Sequence, residues 1–83
     1  MRDAPLRIDG ELYLRLETVA EIYRVRVAWL HEVCDHGLLG DVEHEGASIC
    51  VAAVQLDRVA TIVRLHHALG LELAAIVLAL DED

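Results

Sequence analysis

Eighty-three residues make one small domain, and a chain this short buries only about 60% of its unfolded surface, too little to wall off a deep catalytic cavity. Apolar residues fill 55% of it with a single proline, which excludes a disordered chain, and the absence of Phe makes the expected core aliphatic. The net charge is −8, with five Arg against seven acids up to residue 40 and two against eight beyond it, so the field opposes phosphate binding and suits a basic partner.

Residues 1–10, ending in Asp9-Gly10, read as a lead-in to a single domain over 11–83. Glu11 to Leu16 alternates polar and apolar residues as a half-buried strand does. Thr18, with Glu21 three residues on, has the spacing of a capping box for a short first helix that ends near Tyr23. Arg24-Val25-Arg26 makes a turn into a second helix over 27–36, with Leu30, Val33 and Cys34 on one face and Gly37 at its C-terminal cap. Residues 42–45 and 48–51 form a small hairpin with Gly46 at its tip. A third helix runs over 54–69 with Leu56, Val59, Ile62, Val63, Leu65 and Leu69 inward, and Gly70 ends it. The last helix, 72–80, carries one stripe of Leu73, Ile76, Val77 and Leu80 and a second of Leu71, Ala74, Ala75 and Leu78. A helix apolar nearly all round is buried on more than one side, which leaves monomer and homodimer both open.

This order of elements, with Thr18-Val-Ala-Glu-Ile-Tyr-Arg-Val25, Leu30-His-Glu-Val-Cys-Asp-His-Gly-Leu-Leu39 and Leu56 to Ile76, resembles the MerR-type winged helix-turn-helix. The fold it implies is mainly α with a small β wing, about four helices plus a short β-hairpin. Leu30, Glu32, Val33, Gly37 and Leu38, together with Val63-Arg-Leu-His-His-Ala-Leu-Gly-Leu71, are similar to the chaperone modulator family of CbpM. That resemblance implies binding to the J domain of a DnaJ/CbpA-type co-chaperone and regulation, as inhibition, of its cooperation with DnaK. A DnaK–DnaJ assembly factor and a MerR-like DNA-binding regulator are the alternatives. His31, Glu32 and Val33 stand where MerR regulators carry an Arg and a pair of tyrosines, and carboxylates there repel backbone phosphates.

The candidate partner-binding residues are Glu32, Asp35, Asp41, Glu43 and Glu45, an acidic face, with Trp29 and Tyr23 as aromatic anchors. Arg15, Arg24 and Arg26 are the phosphate contacts on the DNA reading. His31, Cys34, His36, His44 and Cys50 offer nitrogen and sulfur donors, but their spacing fits no metal pattern and neither a metal nor a cofactor is expected. His66 and His67 are sequence neighbours on a helix, so a joint site is not expected of them. No serine in a nucleophile setting and no glycine-rich phosphate loop is present, so no enzyme is expected. With no signal-like or membrane-length apolar run, the expected setting is the cytoplasm.

Overall fold

The computed structural model describes residues 6–40 and 42–81. In chain order they form β1 (Leu6–Ile8), β2 (Glu11–Arg15), α1 (Leu16–Tyr23), α2 (Val27–Asp35), β3 (Val42–Glu45) and β4 (Ser48–Ala52). A single turn of 3₁₀ helix (Ala53–Gln55) then leads into α3 (Leu56–Leu69), and α4 (Leu73–Asp81) follows.

The four expected helices are present, but the β part is a four-stranded antiparallel sheet of order β1-β2-β4-β3, not a short hairpin wing on a mainly helical domain. Two features overturn the smaller expectation. Asp9 and Gly10 both take positive φ, 54° and 82°, and join β1 to β2 in register Ile8↔Glu11, so part of the lead-in is itself a strand. Two positive φ values in a two-residue loop match the right-handed twist of a hairpin, and Asp-Gly is among the pairs that accept them. The second feature is the pairing of β2 with β4, Leu14 opposite Val51 and Arg15 opposite Cys50, which welds the two hairpins into one sheet. Cys50, Val51 and Ala52 are all buried, so this inner strand is covered on both faces.

Thr18 does not cap α1. The helix starts at Leu16 with Arg15 as its N-cap and no side-chain capping bond. Starting there places Leu16, Val19 and Ala20 at i, i+3 and i+4, all buried, and burying a Leu and a Val outweighs the roughly 1 kcal/mol of a capping hydroxyl. The end of α2 follows its glycine: Gly37 (φ 72°) donates to the Cys34 carbonyl and Leu38 to that of Val33, a Schellman cap that tucks Leu38 and Leu39 into the core.

The core is aliphatic: Leu16, Val19, Leu30, Val33, Leu39, Val51, Val59, Ile62 and Ile76 are its largest hydrocarbon members. It draws on both hairpins' central strands and all four helices. The Arg58 guanidinium Nε donates to the Leu38 carbonyl at 2.7 Å and ties α3 to the turn after α2. On α3 the expected inward set is largely met, but Leu69 is 65% exposed. On α4 the first stripe packs against the core through Leu73 and Ile76, while Leu78 of the second is 67% exposed. No helix among the described residues is long and apolar enough to cross a membrane.

Candidate functional site

The helix-turn-helix is built by a reversal at Arg24. Its φ and ψ of 58° and 47° are left-handed, and its N–H and that of Val25 both donate to the Ala20 carbonyl. A non-glycine residue there costs about 1 kcal/mol. Arg26 then stands as the N-cap of α2 with extended backbone and no side-chain bond to the helix amides. Its cation lies at the positive end of the helix dipole, and neither a capping side chain nor a first-turn carboxylate offsets it. Arg26→Asp therefore raises stability by about 1 kcal/mol through the missing cap and the reversed charge, read as a higher urea midpoint. A midpoint that falls or stays put contradicts this account of the turn.

From that turn α2 buries Leu30 and Val33 and presents His31, Glu32, Asp35 and His36 to solvent. No Arg or Lys occurs on the helix. On the edge strand β3, Glu43 is half-buried and Glu45 is exposed. Glu45 Oε1 accepts from Arg15 Nη2 at 3.0 Å, across from β2, so Arg15 is held in an ion pair instead of standing free for phosphate. A pair this exposed is worth about 0–1 kcal/mol. Asp41 lies outside the described residues.

The two proposed aromatic anchors separate. Tyr23 donates its hydroxyl to the Leu56 carbonyl at 3.1 Å and struts the end of α1 against the start of α3. Trp29 is half-buried, and its ring packs on that of His66, centroids 4.8 Å apart with the planes tilted by 30°. His66 is fixed by its Nδ1, which donates to the Leu71 carbonyl at 3.0 Å where the chain turns back after Gly70. The His67 ring lies 5.4 Å from that of His66, with the planes tilted by 45°.

Two open hollows share Trp29, Glu32 and His66. One, of about 440 Å³, also takes in Arg24, Arg26 and His67. The other, of about 400 Å³, is bounded further by His36, Glu72, Leu73 and Ala74. Of the seven candidate partner-binding residues the structure brings Trp29 and Glu32 together. Asp35, Glu43 and Glu45 line neither hollow. The sequence reading missed Glu72 as a neighbour of Glu32, because only the return of α4 past Gly70 brings the two to one hollow.

The nitrogen and sulfur donors do not converge. Among the described residues no group of three or more His, Cys, Asp or Glu is placed to hold a metal ion. His36 Nδ1 is engaged with the Glu32 carbonyl at 2.8 Å, and Cys50 is fully buried. Burial, and then the Asp35 carboxylate, pushes the Cys34 thiol above its ordinary range. Burial and the Glu45 carboxylate do the same for Cys50, so both stay protonated thiols near neutrality.

No curated protein and no solved structure matches this chain. The family described as MerR HTH family regulatory protein matches residues 14–81, a span that takes in the helix-turn-helix, the β3–β4 hairpin and both closing helices. By that match over most of its length, and by the turn at Arg24 that sets α2 against α1, the chain belongs to the MerR helix-turn-helix family.

Proposed function

We propose that this MerR-family domain docks a protein: it is a CbpM-like chaperone modulator that binds the J domain of a DnaJ/CbpA-type co-chaperone in the cytoplasm. One observation carries the reading. The second helix of the helix-turn-helix, the element that meets DNA in operator-binding relatives of this architecture, turns Glu32 and Asp35 to solvent and carries no Arg or Lys. Such a face repels phosphates and attracts a basic surface, and a net charge of −8 extends the same field over the molecule. The mechanism is competitive. A J domain whose basic helix is covered by carboxylates cannot present that helix to DnaK, so the pair's cooperation falls.

A second reading keeps the family's regulatory role as DNA binding. It is favoured by Arg24 and Arg26, which are exposed at the turn ahead of α2. Titration of the protein against an isolated J domain and against mixed duplex DNA, at about 50 and about 300 mM salt, separates the two. The expected result is saturable J-domain binding that weakens about tenfold at the higher salt, with no DNA binding at either. Saturable DNA binding with a silent J domain sinks the docking reading. Adding DnaK then tells inhibition from assembly: displacement of DnaK marks a modulator, and a stable three-component complex marks a DnaK–DnaJ assembly factor.

A further inference from the structure

The hollow between α2 and the α3–α4 corner has a chemistry of its own. Its apolar walls are Trp29, Leu73 and Ala74, and its acidic edges are Glu32 and Glu72. His36 and His66 also border it, each with its Nδ1 engaged in a bond to a backbone carbonyl. Among the described residues no Arg or Lys lines it, in contrast to the neighbouring hollow, which Arg24 and Arg26 line together with Glu32. At about 400 Å³ it is open to solvent and does not enclose what enters it, with room for one long side chain of a protein partner.

An indole beside two carboxylates is complementary to a guanidinium. The flat cation stacks on aromatic surface, its edge donors reach carboxylate oxygens in a fixed fork, and it is weakly hydrated enough to leave water for such a place. A lysine ammonium satisfies the charge but neither the stacking nor the fork. We infer that this hollow is the specificity pocket of the docking face and takes an arginine side chain from the partner, with Glu32 and Glu72 as its acceptors and Trp29 as its wall. The inference rests on the reading of the domain as a docking module for a basic protein, and it adds Glu72 of α4 to the interface.

Trp29 is the only tryptophan in the chain, so its emission reports the pocket directly. The probe is a blocked hexa-arginine peptide, with hexa-citrulline as the uncharged counterpart, titrated into the full chain. Hexa-arginine is expected to shift Trp29 emission saturably and hexa-citrulline to leave it unchanged. Glu72→Gln is expected to weaken binding about fivefold, and Glu21→Gln, which removes an equal charge from the exposed side of α1, less than twofold. Equal losses from the two variants, or binding seen by calorimetry with unchanged Trp29 emission, overturn the pocket. The same variants titrated with an isolated J domain keep the two ideas apart. A J domain that binds wild type and Glu72→Gln equally well removes the pocket and leaves the docking reading standing. Glu72-dependent hexa-arginine binding without any J-domain binding upholds the pocket and removes the co-chaperone.

Discussion

Leu30→Ala is expected to lower the unfolding free energy by about 3 kcal/mol, within the roughly 2–5 kcal/mol that truncating a buried leucine costs. Leu30 is fully buried in the aliphatic cluster and, with Val33, holds α2 against the rest of the domain. The core has no Phe or Trp large enough to collapse into the space, and its packing is shared among medium-sized aliphatic side chains. An 83-residue domain has about 4–12 kcal/mol of stability in all, so this loss takes a quarter of it or more. Urea unfolding followed by circular dichroism and by Trp29 emission measures it, with the slope unchanged and the midpoint lowered. A loss under about 1 kcal/mol, or two probes with separate midpoints, means that α2 is not part of the cooperative core.

The helices were legible because each announces itself locally. Gly37 and Gly70 both stop a helix in left-handed geometry where the periodic pattern ends, and Leu30 with Val33 marks the buried side of α2. The sheet was not legible to the same degree. Leu6-Arg7-Ile8 is too short to show a period by itself, so the hairpin signal rests on Asp9-Gly10 alone. The β2–β4 pairing joins residues nearly forty apart in sequence, Tyr13 to Ala52, and no local propensity specifies a partner at that distance. The one hint was compositional. Ile49-Cys50-Val51-Ala52 is apolar without alternation, as a strand covered on both faces is, whereas a solvent-facing wing alternates.

For the site the division is similar. That α2 would turn Glu32 and Asp35 outward follows from the 3.6-residue period once Leu30 and Val33 are inward. What Trp29 would touch does not follow, since its neighbour His66 belongs to another helix and is oriented by the Leu71 carbonyl beyond the glycine break. Tyr23 could be read equally as an anchor for a partner or as a strut, and only its bond to the Leu56 carbonyl reveals the strut. Glu72 carried no signal at all, because a single carboxylate ahead of an apolar helix is the ordinary composition of a helix start.

Reversing the charge of α2 separates the two readings of this family member by sign. In Glu32→Lys/Asp35→Lys both changed positions are exposed and three apart on the helix, so the substitutions remove no buried contact and leave Leu30 and Val33 in place. The net charge moves from −8 to −4 and the outward side of α2 becomes cationic, continuous with Arg24 and Arg26 at its N-terminal end. If the helix docks a basic J domain, attraction at two positions becomes repulsion at both. Each position then loses a rim contact of about 0–1 kcal/mol and gains a like-charge penalty, so binding weakens by about tenfold to a hundredfold. If instead the helix meets DNA, the same change removes two carboxylates from among the phosphates and adds two counter-charges. Affinity for mixed duplex then rises by a similar factor, and its salt dependence steepens. Titration of the variant and the wild type against both ligands at one salt concentration reads both signs. Weaker J-domain binding identifies α2 as the docking helix. Unchanged J-domain binding with a gain for DNA means that α2 is not that helix and that the carboxylates served to keep this helix-turn-helix off DNA.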